Sequence, residues 1–376
     1  MKIIIIGTIA SSFLGFRADL IKLLIDKGHS VYAFTSEYSS GDLEAIESLG
    51  AMPIVYHLNR GGLNPIADVK ATYKLSQKIK KIVPDLVFSY FAKPVVFGTL
   101  AANFAKVPQV IGMLEGLGYT FTDQPDGLTK KAWLIKKIQI FLYKIALPKL
   151  DKLIFLNPDD QQDLMTAYSI KAKEVVVLGG IGLNLNEYLY HPISNVRPPI
   201  CFLFMGRLLK EKGIHDFVAA AKIVKEKYPA SLFIVLGAID SSNLGALQQS
   251  ELDSLISSKI ISYPGHVDSV KEWITKSHVF VLPSYREGVP RSTQEAMAIG
   301  RPIITTDVPG CRETVVDGAN GFLVEKWNPP ALAEKMNYFI EHPEQIEKMG
   351  HKSYEIAQEK FDANKVNLRL LKIMGL

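Results

Sequence analysis

Short apolar runs alternate with longer amphipathic stretches along this chain, and that alternation leaves few folds open. In the first half the runs fall at residues 2–6, 30–34, 53–57, 86–89, 109–112, 152–156 and 174–178, with stretches of helical period between them at 16–27, 67–82, 95–105 and 130–146. A run that is apolar on both faces and joined to the next by a helix belongs to a parallel sheet covered on both sides. Residues 188–199 break the pattern, since Pro192, Pro198 and Pro199 fall within eight residues and mark a linker. The alternation then restarts, with strands expected at 200–205, 231–236, 260–263, 279–282, 302–305 and 321–324. Helices are expected at 214–228, 269–277 and 291–299, the last stopped by Gly300 and Pro302, and residues 343–376 are helical in pattern. The expectation is an α/β chain of two doubly wound, Rossmann-like domains facing a cleft, residues 1–190 and 191–360, with a terminal helix at 361–376 packing back on the first domain.

Bulk composition narrows the class. Of 376 residues 48% are apolar and only 22% are charged, which excludes a disordered chain. A net charge of +5, without a basic tail or an aromatic-rich ribonucleoprotein motif, gives no reason to expect nucleic acid as a partner. No uncharged apolar stretch reaches the ~18 residues of a membrane span. Met1-Lys2-Ile3-Ile4-Ile5-Ile6-Gly7 reads as a first strand, too short for the apolar core of a signal peptide and without a cleavage site. Cys201 and Cys311 stand singly and far apart, as in a reduced cytoplasmic protein without a cysteine metal site, and none of the eight histidines has metal-ligand spacing.

Two loops of the second half carry the chemistry. After the run at 279–282 comes Arg286-Glu287-Gly288-Val289-Pro290-Arg291-Ser292-Thr293-Gln294-Glu295, in which a strand gives way to a Gly/Pro loop and then a helix. One carboxylate sits on the loop and one inside the helix, both at the carboxyl end of the sheet, where open α/β sheets bind ligands. The helix start at Val289, Pro290, Arg291 and Ser292 offers backbone N–H groups to a pyrophosphate. After the run at 200–205, Gly206-Arg207-Leu208-Leu209-Lys210-Glu211-Lys212-Gly213 sets a guanidinium and an ammonium at another strand end, a pair able to clamp a diphosphate. The plainer alternatives are a solvated basic loop and a glutamate on a helix surface.

Taken together, Gly206-Arg207…Lys212-Gly213 and Glu287…Glu295, with Gly300-Arg301-Pro302-Ile303-Ile304 and the later Gly310, Glu313, Gly318 and Gly321, resemble the retaining glycosyltransferases of family 4, which have the GT-B fold. The two glutamates, separated by seven residues, fit that family's pattern, and the motifs agree in order and spacing over most of residues 200–325. The resemblance implies that the catalytic set is Arg207 and Lys212 on the diphosphate of a nucleotide sugar and Glu287 on the hydroxyls of the transferred sugar. It places Glu295 on the ribose, and it implies retention of anomeric configuration by same-face attack without a protein nucleophile. Gly206 belongs to the same donor site. His266, in Pro264-Gly265-His266-Val267, is expected to shape the loop beside the base. No Asp-x-Asp occurs, so no catalytic metal and no cofactor is expected beyond the nucleotide sugar, UDP-linked, as co-substrate.

The first domain is expected to hold the acceptor. Its first turn, from Gly7 to Arg17, lacks Gly-x-Gly-x-x-Gly, which disfavours an oxidoreductase of the dinucleotide-binding kind. Gly15 would let backbone approach the donor diphosphate and Arg17 would add charge; the alternative is a loop glycine and a surface arginine. Leu58-Asn59-Arg60-Gly61-Gly62-Leu63-Asn64-Pro65, Phe91-Ala92-Lys93-Pro94 and Leu114-Glu115-Gly116-Leu117-Gly118 look like the subgroup that adds a sugar to polyprenyl-diphosphate-linked glycans, N-acetylgalactosaminyltransferases of bacterial glycan assembly included. That resemblance makes Arg17, Arg60, Asn64, Lys93 and Glu115 candidates for the acceptor. The chain lacks the histidine that many family members carry near Lys93. Lys93 therefore either pairs with an acceptor phosphate or caps a strand end, and Glu115 either contacts a sugar or is structural.

Residues 127–152 carry seven lysines and one aspartate. Lys130, Lys137 and Lys144 recur every seven residues beside a stripe of Leu134, Ile138, Phe141 and Ile145. Such a helix either lies on a membrane surface with its lysines at anionic headgroups, or is a packed helix with solvated lysines. The expected protein is thus a peripheral enzyme on the cytoplasmic face of the cell membrane, moving a hexose or N-acetylhexosamine from a UDP-sugar to a polyprenyl-diphosphate-linked saccharide. A soluble-acceptor transferase of the same family and a GT-B nucleotide-sugar epimerase are the alternatives, the epimerase needing acid–base carboxylates that these motifs do not supply.

Overall fold

The computed structural model describes residues 1–376 apart from Glu37, 59–64, Ser242 and Asp268, with backbone alone for Pro65 and Ile66. The acceptor candidates Arg60 and Asn64 lie outside the described residues. The chain divides into two compact units: Met1–Thr120, Thr129–Ile181 and Asn364–Leu376 form the first, and Phe121–Leu128 with Gly182–Ala363 form the second.

In the first unit the strands β1 (Lys2–Ile6), β2 (Ser30–Thr35), β3 (Met52–Val55), β4 (Leu86–Tyr90), β5 (Gln109–Leu114), β6 (Lys152–Phe155) and β7 (Val175–Val177) make one parallel sheet in the order β3-β2-β1-β4-β5-β6-β7. The second unit repeats the plan. Its strands β8 (Cys201–Met205), β9 (Leu232–Leu236), β10 (Ser262–Gly265), β11 (Val279–Leu282), β12 (Ile303–Thr306) and β13 (Gly321–Val324) run in the order β10-β9-β8-β11-β12-β13, again all parallel. Each sheet reverses its winding once, between β1 and β4 and between β8 and β11. The loops leaving those strands flank the crevice in which such sheets bind ligands.

Burial on both faces explains why the strands read as unbroken apolar runs. Ile3 to Ile6 and Phe202 to Phe204 have no exposed surface, and each such side chain contributes roughly 1.5–3 kcal/mol by leaving water. Phe202 stacks on Phe233 across β8 and β9 at 5.2 Å between centroids, and Phe217 closes on both Phe204 and Phe233 from the covering helix Ile214–Lys227.

Three expectations are corrected. The helix expected at 16–27 starts at Ala18 and runs to Asp26, after Arg17 leaves the helical region (φ −126°, ψ −1°) and turns its side chain inward, and a separate helix, Ala10–Phe16, occupies the stretch read as the first turn. The division between units falls at Ile181/Gly182 rather than at residue 190. The stretch read as a linker is tied to the second unit, where Tyr188 OH donates to Glu295 Oε1 at 2.9 Å and His191 N–H to the Ile299 carbonyl at 3.1 Å. Residues of the first half also enter the second unit, since Lys326 pairs with Asp123 at 2.8 Å and Arg286 reaches the Phe121 carbonyl at 3.5 Å. The terminal helix Ala363–Met374 belongs almost wholly to the first unit, where Gln109 Nε2 donates to the Met374 carbonyl at 2.9 Å.

Candidate active site at the reversal of the second sheet

The loops that follow β8 and β11 are locked together. Gly213 has φ +73° and lies against the Pro283 carbonyl, so that a Cβ at this position would strike backbone. Tyr285 N–H donates to the Glu211 carbonyl at 2.8 Å. This close approach joins Lys212, at the end of the short turn Lys210–Lys212, to Glu287. Their side chains form an ion pair through Glu287 Oε1, and both are mostly buried. The same oxygen accepts Ser284 Oγ at 2.8 Å, and Glu287 N–H donates to the Pro309 carbonyl at 3.0 Å. A buried carboxylate held by an ammonium, a hydroxyl and its own fixed backbone is preorganised rather than floating.

Arg207 is turned to Asp240 at 2.8 Å and stays half exposed. Gly206, where β8 ends, has open space on the side where a Cβ would stand. Beside Lys212, the Glu211 carboxyl is buried, and that burial raises its pKa. Cys311 is fully buried near Glu287 and Lys212, and burial pushes its thiol up to about 12. Both cysteines are free thiols.

Glu295 lies in the helix Arg291–Ile299, whose start at Pro290 has no side-chain cap and no acidic residue in its first turn. A helix start without a side-chain cap and without an acidic first turn is the kind of terminus that favours an anion. Val289 is buried and Ser292 is half-buried at that start. Glu295 Oε1 accepts from Arg291 Nε at 3.1 Å and from the hydroxyl of Tyr188 at 2.9 Å. His266, directly after β10, is exposed.

Beneath the site, Arg301 is completely buried and donates only to backbone. Its guanidinium reaches the carbonyls of Ile274 (2.9 Å), His191 (2.8 Å), Ile299 (3.2 Å), Gly300 (3.2 Å) and Thr275 (2.8 Å). Burial lowers its pKa to about 10, which leaves it charged at neutral pH.

In the first unit, Arg17 and Glu115 are brought together as a buried ion pair. The Arg17 guanidinium stacks 4.6 Å above the Tyr90 ring, and Tyr90 OH is 2.8 Å from Ser12 Oγ. Its burial excludes the alternative of a surface arginine. Lys93 lies in the first turn of the helix Ala92–Phe104, after Phe91 in the left-handed region (φ +70°), a conformation a phenylalanine seldom adopts. Lys93 Nζ is 4.0 Å from Asp68 Oδ1, and burial lowers its pKa. Gly15 sits in the helix Ala10–Phe16, exposed, with nothing near the Cβ position.

Sequence reasoning missed Ser284, Tyr188, Asp240 and Asp68. Only Ser284 was within its reach, three residues before Glu287 in the same loop. The other three meet their partners across long sequence separations.

A chain that repeats one sheet order twice, with charged loops at the second reversal, has the GT-B architecture. Residues 190–356 match the family Glycosyl transferases group 1 and residues 2–157 the family Glycosyl transferase 4-like, so the chain is a glycosyltransferase whose two halves match these two family models. It is 28% identical to the N,N'-diacetylbacillosaminyl-diphospho-undecaprenol alpha-1,3-N-acetylgalactosaminyltransferase of Campylobacter jejuni, over 99% of this chain and 98% of that protein. It is 26% identical to the UDP-Gal:alpha-D-GlcNAc-diphosphoundecaprenol alpha-1,3-galactosyltransferase of Escherichia coli, over 69% of this chain and 67% of that one. The fold also matches the Anabaena protein HepE, crystallised with UDP and glucose, at a TM-score of 0.76 and 18% identity, covering 100% of this chain and 99% of that one.

Proposed function

We propose that this glycosyltransferase moves a hexose or N-acetylhexosamine from a UDP-sugar to a polyprenyl-diphosphate-linked saccharide, with retention, in bacterial surface-polysaccharide or glycoprotein-glycan assembly. The observation that carries the donor half is the Lys212–Glu287 pair at the sheet reversal, beside a helix start without a cap. The UDP leaving group gains charge in the transition state, and fixed cations with helix N–H groups stabilise that charge without reorganising. Lys212, Arg207 and the N–H groups at Val289, Pro290's successor Arg291, and Ser292 serve the diphosphate. Gly206 lets backbone come close to it. Glu287 binds sugar hydroxyls, Glu295 the ribose, and His266 borders the base.

The acceptor half rests on the relatives, which act on undecaprenyl-diphosphate-linked saccharides, and on Lys93. A cation at a helix N-terminus opposes the macrodipole, so a half-buried lysine there is stabilised by an anion, and an acceptor phosphate is one. Arg17 and Glu115 hold the neighbouring loop in shape. No metal enters the reading, because the cations named do the work of one.

The test is incubation with a panel of nucleotide sugars and short polyprenyl-diphosphate sugars, with and without a chelator, and mass spectrometry of the products. One added hexose or N-acetylhexosamine on the lipid-linked acceptor, unchanged by the chelator, is expected. Turnover with a soluble acceptor alone would overturn the acceptor assignment.

Association with the membrane is part of the same proposal. Among the described residues no helix is long and apolar enough to cross a membrane. The helix Lys130–Ala146, however, exposes Trp133, Leu134, Phe141 and Ile145 among Lys131, Lys137 and Lys144, while Ala132, Ile140, Tyr143 and Ala146 form its buried face. Apolar side chains entering the headgroup layer with lysines at anionic lipid match that pattern. Replacing Lys130, Lys137 and Lys144 by glutamine is expected to weaken flotation with anionic liposomes roughly a hundredfold, at about 1 kcal/mol per lysine. Equal flotation of the triple variant would remove the electrostatic part.

A further inference from the structure

Residues 188–199 were expected to be a linker, yet Tyr188 is 8% exposed and its hydroxyl is bound to the helix that carries Glu295. Its hydroxyl donates to Glu295 Oε1 at 2.9 Å. Arg291 Nε donates to the same oxygen at 3.1 Å, and Arg291 Nη1 points at the Gly182 carbonyl at 3.4 Å. The other side of the phenol is covered by Lys271, whose Nζ stands 4.8 Å from the ring centroid and 3.7 Å from Glu187 Oε2. Two donors thus converge on one carboxylate oxygen. Oε2 makes no hydrogen bond among the described residues.

A glutamate carboxylate turns easily about its last torsion, whose wells are broad. With Oε1 held by two donors from different directions, that rotation is stopped and the lone pairs of Oε2 keep one orientation. A vicinal diol needs such an acceptor, because its two hydroxyls donate along fixed directions. Burial and the charge of Glu295 both raise the Tyr188 pKa, so the phenol keeps its proton and remains a donor.

We propose that Tyr188 is a positioning residue for the donor: by holding Glu295 Oε1, it presents Oε2 to the ribose hydroxyls of the nucleotide. The inference rests on the assignment of Glu295 to the ribose. It adds a residue from the stretch before β8 to the donor site and gives that stretch a role in nucleotide selection.

The test measures binding of UDP and of 2′,3′-dideoxy-UDP by calorimetry to the unaltered protein, Tyr188→Phe, Glu295→Gln and the double variant. The preference for UDP over the dideoxy nucleotide is expected to fall about five- to tenfold in Tyr188→Phe, the size of one ordinary hydrogen bond. Affinity for dideoxy-UDP should stay within twofold, which also shows that the variant is folded. In the Glu295→Gln background the tyrosine change should reduce the preference no further, since the two side chains act as one unit. A preference that is intact in Tyr188→Phe but lost in Glu295→Gln would overturn the role of Tyr188 alone. A preference intact in Glu295→Gln would overturn the ribose assignment and this inference with it. Tighter UDP binding by Tyr188→Phe would also overturn it, by making the phenol a competitor of the ribose.

Discussion

Replacing Lys212 by methionine is expected to lower kcat for sugar transfer about 10²–10³-fold while changing KM for the nucleotide sugar much less. The ammonium lies where two strand-end loops are pressed together, and it is ion-paired with Glu287. In the proposed reaction it meets the charge that the departing diphosphate acquires, so its contribution is larger in the transition state than in the bound ground state. Its removal also strips a mostly buried carboxylate of its ammonium partner, which adds to the loss. Lys212→Arg should recover only part of the rate, because a planar fork does not fit where a compact ammonium sits beside Ser284 and Glu287. The measurement is initial rate against donor concentration at saturating acceptor. A kcat within threefold of the unaltered enzyme would remove Lys212 from the catalytic set.

A second large effect is expected on stability. Arg301→Met should destabilise the second unit by about 3–5 kcal/mol, as when a buried charge network loses one partner. The five carbonyls that Arg301 serves come from three places: the end of the helix Val270–Lys276, the end of the helix Arg291–Ile299, and His191. Without the guanidinium these acceptors are left in a space closed to water. Methionine fills much of the volume, so the loss would report on hydrogen bonds more than on a cavity. Arg301→Lys should rescue little, since one ammonium cannot span three chain segments. Urea unfolding followed by a probe in the second unit should show a lower midpoint with an unchanged slope. An unchanged midpoint would mean that these carbonyls find other donors.

Much of the architecture was legible because strands buried on both faces are written as apolar runs. Val279–Leu282 and Gly321–Val324 were placed at their observed ends for that reason. The short helices Ser40–Ser48 and Pro158–Met165 went unread, being polar and weakly periodic, although Ser39 with Asp42 and Asn157 with Asp160 are start signals. Prolines at 192, 198 and 199 do punctuate the chain, but punctuation says nothing about packing, and Tyr188 and His191 are bound to the second unit. In the candidate site, the residue types at strand ends were legible one loop at a time. The pairings were not: Lys212 with Glu287, Arg17 with Glu115 and Tyr188 with Glu295 are separated by 75, 98 and 107 residues. A loop residue carries no periodicity that names a distant partner, so Arg17 and Glu115 read as separate acceptor candidates and not as one buried pair.

The terminal helix has a consequence for synthesis. It belongs almost wholly to the first unit, so the seven-stranded sheet is made well before the helix that completes its unit. At roughly 5–20 residues per second, the sheet waits roughly ten to forty seconds for the helix that Gln109 will hold. The second unit is made during that interval, and the face awaiting Val366, Leu370 and Leu371 is apolar surface that the nascent chain must carry exposed or shielded.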